Sequence, residues 1–296
     1  MVELAPAGQG LLRQGFAGDT FNTAWYLKRL CPDWSVDYVS AVGSDALSQA
    51  MVDFMAGAGI GTDHVARRAE QTVGLYLISL KDGERAFTYW RGQSAARTLA
   101  DDPEALARAL TGAGLVVFSG ITLAILAPDR RAGLLEALRR CGAVVAFDPN
   151  MRAGLWSSPA DMADWMVRAA AVADIVLPSF DEAAGLWGDA APEETLARWR
   201  DMGPGTVVVK NGGGRIWAWD HAGVVSFDPS AVVAVDTTAA GDSFNAGFLA
   251  ARLGWAGRGG AGLGGAGLLD CLRAGAGLAG RVIMATGALV AGVAVN

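Results

Sequence analysis

The sequence predicts an α/β fold: a doubly wound, mostly parallel sheet flanked by helices, with a small β-hairpin as a lid. Three observations point there. Short β-branched runs recur at Val116–Phe118, Val144–Phe147, Ile175–Leu177 and Val207–Val209, and each reads as a strand buried on both faces. Amphipathic stretches of helical length lie between or after them, at Pro128–Arg140, Ala160–Ala171 and Glu193–Asp201. The segment Gln71–Trp90 breaks this rhythm, because QTVGLYLISL, KDGE and RAFTYW read as two alternating strands joined at Asp82-Gly83.

The chain has 296 residues, 52% hydrophobic and 18% charged, enough for a large core, and reads as a single domain over 1–296. A net charge of −6 gives the whole no attraction to nucleic acid or to an anionic membrane. Cys31, Cys141 and Cys271 stand far apart with no CxxC pair, a usage that fits a reducing cytoplasm and no disulfide framework. His64 and His221 are isolated, which argues against a His-rich zinc site or a Ser-His-Asp triad. The apolar stretch Thr111–Pro128 is broken at Ser119-Gly120 and is expected to be a strand running into a helix rather than a membrane span.

Beyond Arg252 the chain turns Gly- and Ala-rich, with GxGxxG matches starting at Gly257 and Gly262. A dinucleotide fingerprint follows a strand and opens a helix, whereas this tract follows the helix expected over Ser243–Leu253. It reads as a loop and then a helix of small residues. A nicotinamide dehydrogenase would rest on these matches alone. A Walker A loop is absent, since Lys28, Lys81 and Lys210 each follow Leu or Val rather than Gly.

The most informative stretch is Val232–Leu253. An apolar run ends at Asp236, small residues follow, and a helix begins near Asp242 and Ser243. Free N–H groups and the dipole at a helix start suit an anion such as phosphate, and Ala239, Ala240 and Gly241 are small enough to let one approach the backbone. A carboxylate beside that anion fits a base that takes the proton of an attacking hydroxyl. By spacing alone, an N-cap role accounts for Asp242 equally well.

At DTTAAGD (236–242) the chain resembles the ribokinase-like (PfkB) carbohydrate kinases, whose signature reads DTxGAGD. GDTFNTA (18–24), AVGSDALSQAMVDFMAGAGI (41–60), FDPNMR (147–152), LPSFDE (177–182) and VVVKNGG (207–213) fall in the family's order. Within the family the likeness is strongest to the branch acting on 2-keto-3-deoxygluconate. The resemblance implies transfer of the ATP γ-phosphate to the 6-hydroxyl of that sugar acid, with Mg²⁺ as cofactor. It implies Asp242 as proton acceptor and Ala239, Ala240 and Gly241 as anion hole. Gly18, Asp19 and Asn22 would hold sugar hydroxyls, while Tyr76, Tyr89, Arg91 and Arg152 would surround the acidic sugar. Asn150, Arg152, Ser179, Lys210, Asn211, Gly212, Gly213 and Arg215 would serve the nucleotide, and Glu182 would organise Mg²⁺ through water. Two arginines suit a carboxylate, which guanidinium binds at two points; Tyr76 and Tyr89 would equally serve as packing aromatics of the hairpin.

Three departures from the family pattern stand out. Ala239 replaces the usual Gly, and Ser179 replaces the Asn of NxxE. The family's first core strand, which ends in a GE or GD step ahead of an MVEL-like segment, is expected to be absent, since MVEL here begins at Met1. The lid is expected to be discontinuous, from about 8–20 and 70–95, with homodimer or higher assembly through it. Two other readings stay open: a fructokinase-like enzyme acting on a neutral sugar, and a non-catalytic ribokinase-like binding protein.

Overall fold

The computed structural model describes residues 1–81, 84–254 and 267–293. Numbered along the chain, β1 (Val2–Gly8), β2 (Leu11–Phe16), β5 (Leu75–Lys81) and β6 (Glu84–Trp90) form a four-stranded lid in the order β2-β1-β5-β6. β3 (Ser40–Gly43) and β4 (Val65–Arg68) pair in parallel by themselves. The main sheet holds β7 (Leu115–Ser119), β8 (Val144–Asp148), β9 (Ile175–Val176), β10 (Thr206–Val209), β11 (Ile216–Asp220) and β12 (Gly223–Phe227). Its strands β7 to β10 are parallel, and β11 and β12 close one side antiparallel. The helices are α1 (Asp19–Leu30), α2 (Ala46–Gly57), α3 (Pro103–Leu110), α4 (Gly120–Ile125), α5 (Pro128–Arg140), α6 (Pro159–Ala170), α7 (Phe180–Trp187), α8 (Pro192–Asp201), α9 (Ala240–Gly254) and α10 (Leu268–Ile283).

The four apolar runs are thus the parallel strands, and their alternation separates two cores. Ala146 and Val208 face a core made with Phe21, Trp25, Phe248 and Leu278, while Phe147, Val207 and Val209 face another made with Leu138, Met166 and Trp199. A parallel sheet covered on both faces needs this double burial. Helix starts are marked in the sequence as physics requires. Pro opens α3, α5, α6 and α8, and the Asp102 and Ser158 side chains accept backbone N–H groups at two of them.

The small-residue helix expected after the glycine tract is α10, and its glycines serve packing. A Cβ on Gly275 would stand 2.9 Å from the Phe244 carbonyl oxygen, and one on Gly247 would stand 2.8 Å from that of Ala274. Only glycine lets α9 and α10 cross this closely, which buries α9 and fixes where its first turn points. The tract 255–266, with the GxGxxG match at Gly257 and most of that at Gly262, lies outside the described residues, as does the turn Asp82-Gly83.

The lid begins at Val2 rather than at 8, and α1 has started by Asp19. The cause is a tight hairpin, with Gln9 at φ 51° between Gly8 and Gly10, that folds β2 back on β1 so that β1 bridges β2 and β5. Among the described residues, β7 pairs on one edge only and β3 pairs only with β4. Both strands line one large cavity of about 1590 Å³, together with Ala24 and Leu27 of α1 and Leu134 and Leu138 of α5. No described helix is long and apolar enough to cross a membrane.

Candidate active site

The cavity opens at the carboxyl ends of the parallel strands, where doubly wound sheets commonly bind ligands. The starts of α1 and α9 meet there under the lid. Gly18, Asp19, Asn22, Tyr76, Tyr89, Arg91, Asn150, Arg152, Ser179, Glu182, Lys210, Ala239, Ala240, Gly241 and Asp242 all line it. Residues read from sequence segments more than 200 positions apart thus share one cleft.

Asp242 lies in the first turn of α9. Its Oδ2 accepts a hydrogen bond from Asn22 Nδ2 at 2.8 Å, and Thr23 Oγ1 donates to its carbonyl at 3.3 Å. The carboxylate therefore reaches across to α1 rather than capping a backbone N–H of its own helix, which separates the two roles that spacing left open. Burial, reinforced by the charge of Asp19, pushes the Asp242 carboxyl up to about 7 against the opposing pull of the Asn22 bond. A carboxyl poised there exchanges its proton near neutral pH.

Around it, the helix start is tied to the preceding loop. Ala240 N–H donates to the Thr237 carbonyl at 3.2 Å and Ser243 N–H to that of Ala239 at 2.9 Å. Ala239 holds φ 62°, a left-handed conformation that a side chain disfavours and that glycine adopts freely.

Asp19 accepts from Ser119 Oγ at 2.5 Å and from Asn150 Nδ2 at 3.1 Å. Gly18 N–H donates to Asn22 Oδ1 at 3.2 Å. The structure thus sets Asn150, read as a nucleotide contact, on the Asp19 side of the cleft. Tyr76 donates its phenol to Glu3 on the neighbouring strand and is buried, so it packs within the lid, whereas Tyr89 is 46% exposed beneath the Arg91 guanidinium, 4.2 Å from its ring centroid. Arg152 pairs with Glu182 Oε1 at 2.9 Å, and Glu182 Oε2 is buried with no hydrogen-bond partner. Burial, then the charge of Asp148, raises the Glu182 carboxyl. An orphaned, buried carboxylate oxygen beside a cleft is a place for a cation or its water.

Lys210 turns inward to Asp148, while the turn after it points elsewhere. Asn211, Gly212, Gly213 and Arg215 are absent from the cavity lining, and Arg215 is held at the surface by Asp228 at 2.8 Å. The turn connects two antiparallel strands, β10 and β11, and its geometry follows that hairpin. Sequence reasoning missed Ser119, Asp148, Asn245 and Glu3. Two of them had a signal, since Ser119 and Asp148 end the parallel strands β7 and β8, where side chains project into the ligand crevice.

Comparison with known proteins bears on this site. The family described as "pfkB family carbohydrate kinase" matches residues 7–291. The 2-dehydro-3-deoxygluconokinase of Haemophilus influenzae is 37% identical across 100% of this chain and 95% of its own length. That of Escherichia coli K12 is 38% identical across 86% of this chain and 85% of its own length. Among solved structures, fructokinase from Vibrio cholerae O395 in a form binding fructose, ADP and calcium superposes with a TM-score of 0.83 at 25% identity, covering 97% of this chain and 91% of that one.

Proposed function

We propose that this chain, which belongs to the pfkB family of carbohydrate kinases and is a sugar kinase, transfers the γ-phosphoryl group of ATP to the 6-hydroxyl of 2-keto-3-deoxygluconate. The observation that carries the reading is the placement of Asp242. Its carboxylate faces the cleft at the start of α9, held by Asn22, with its proton affinity moved up to about 7.

In this reading the sugar acid lies between Asp19 and the lid, and Arg91 supplies the charge for its carboxylate. Arg152 already has Glu182 as partner, which leaves Arg91 as the better-placed cation. The acceptor hydroxyl gives its proton to Asp242 as its oxygen bonds to the γ-phosphorus and the bond to the β-phosphate oxygen breaks, leaving ADP. Developing charge on the phosphoryl oxygens is met by the Gly241 backbone and the positive end of α9. Glu182, through its unpartnered Oε2, fits as the residue that holds a water of Mg²⁺, and the ion when bound offsets phosphate charge. Asn150, bonded to Asp19, would lie on the sugar side of the cleft, and Ser179 also lines the cavity.

A coupled ADP-release assay across sugar acids and neutral sugars, with and without Mg²⁺, tests this directly. Turnover of the keto-deoxy acid well above that of fructose supports the reading. A preference for fructose transfers the site to a fructokinase-like activity, and no turnover of any sugar, with unaltered nucleotide binding, leaves a binding protein instead.

A further inference from the structure

Set into the cleft floor is a buried polar cluster that the transfer chemistry above leaves without a task. Lys210, just past the end of β10, is 8% exposed. Its Nζ donates to Asp148 Oδ1 and to Asn245 Oδ1, both at 3.2 Å, and Asn245 Nδ2 donates to Asp148 Oδ2 at 2.7 Å. The three side chains close a ring from three elements: β8, the end of β10, and α9. The lysine backbone is pinned as well, its N–H to the Pro178 carbonyl at 2.8 Å and its carbonyl by the Phe180 N–H at 2.8 Å.

Two geometric facts link the ring to Asp242. Asn245 follows Asp242 by three residues on α9, so the two share a helix face. A Cβ built on Gly241 would stand 3.5 Å from Lys210 Nζ, so the ammonium lies against the residue that precedes Asp242. An ammonium at that spot opposes the positive end of α9. A buried ion pair is also a weak source of stability, and a packed apolar side chain would serve a core as well or better. The arrangement makes physical sense if the charge itself is what the site requires.

We propose that Lys210 is a positioning residue, its ammonium clamped by Asp148 and Asn245 beneath the first turn of α9 so that Asp242 and the phosphoryl pocket face one fixed charge. This rests on the kinase reading, in which Asp242 is the base. The groups acting on Asp242 are Asp19 and Tyr26 from α1, Tyr76 from β5, Asp148 from β8 and Lys210. Within that set Asp19 and Asp148 strengthen its hold on a proton, and Lys210 weakens it.

Opposite charges make opposite predictions, and the pH profile of kcat reads them. At saturating ATP, Mg²⁺ and sugar acid, the acid limb moves to higher pH in K210M and to lower pH in D148N, each by about half a unit or more. A lysine that merely holds the fold would lower rate or Tm and leave the limb in place. Limbs that stay put, or that move in the same sense in both variants, overturn the proposal. If K210M does not fold, D148N decides alone, with a downward move in favour and an unmoved or upward limb against. Should the wild type phosphorylate no sugar or sugar acid, the proposed function fails by itself. The ¹³C carboxyl titration of Asp242 in wild type and D148N then still decides this inference by the same directions.

Discussion

The floor and the lid of the cleft are built on different terms. On the floor, each acidic side chain has a named partner from another element: Asp242 with Asn22, Asp19 with Ser119 and Asn150, Asp148 with Lys210 and Asn245. In the lid, Leu11, Leu12, Tyr89 and Trp90 stand largely exposed, and Arg91 rests on an aromatic face rather than on a carboxylate. The contrast separates two tasks. Charge that must be in place before reaction sits on rigid strand and helix ends, where preorganisation lowers the barrier. In the proposed reading, recognition of the sugar acid would fall to the lid, through Arg91. Removing the floor's central group should therefore hit turnover hardest. In Asp242→Ala, kcat is expected to fall about a thousandfold with ATP affinity near wild type, as for loss of a base that acts in the transition state. Single-turnover rates and nucleotide titration check this, and a near-normal kcat would break the division at its centre.

The complementary variant is Arg91→Ala. A lid residue that reads the substrate carboxylate should raise KM for the sugar acid about tenfold to a hundredfold and leave kcat close to wild type. A collapse of kcat instead would place Arg91 with the floor.

A third region sharpens the contrast, because the cavity continues between β3 and β7, where each strand has an edge with no strand on it among the described residues. Helices α1 and α5 cover this gap from the two faces, so an extended apolar segment set between the edges would be buried on both sides. A version of the chain carrying about six Val- and Ile-rich residues ahead of Met1 is expected to gain several degrees in Tm. Amide exchange should slow at Ala41–Gly43 and Val116–Phe118, and unchanged exchange there would show that the gap does not take a strand.

What could be read in the sequence follows the range of the interaction. Helix α5 was legible to the residue, Pro128 to Arg140, because its opening proline and apolar spacing are local. The start of α9 was legible to within three residues, expected near Asp242 and Ser243 and found at Ala240, because small residues mark the end of the preceding loop only loosely. The bond from Asn22 to Asp242 joins positions 220 apart, and no local pattern announces it. The inward turn of Lys210 was hidden for the same reason, since its direction is decided by Asp148 and Asn245. The partner of Arg215 was hidden likewise, since its ion pair with Asp228 forms across the antiparallel pair that follows.

The floor's preparedness should carry a cost in stability, which pH makes visible. The Asp242 carboxyl titrates at about 7 in the folded chain and near 3.8 in the unfolded one. Between those values the native state binds more protons, so stability falls as pH rises from about 4 to about 7 and the deficit is complete above that. Asp242→Asn keeps an acceptor for Asn22 and removes the ionisation. Its Tm is expected to exceed wild type by a few degrees at pH 8, with the gap closing near pH 4. Equal gaps at both pH values would mean that the carboxylate is not the source.

The smallest effect is expected at Ala239, where floor and lid touch. Its φ of 62° costs about 1–2 kcal/mol for a residue with a Cβ. Two terms oppose relief by Ala239→Gly. Glycine gains more freedom in the unfolded chain, worth about 0.5–1 kcal/mol, and the methyl packs at the margin of the Ala5, Tyr76 and Ala288 cluster. That methyl is only partly buried, so its loss is minor and the strain term should win narrowly. A rise in Tm of about a degree is expected, read by calorimetry, with kcat unchanged or slightly higher because the phosphoryl pocket loses a methyl group. A fall in Tm would mean that the lid contact outweighs the strained backbone, and that Ala239 belongs to the lid's packing more than to the floor.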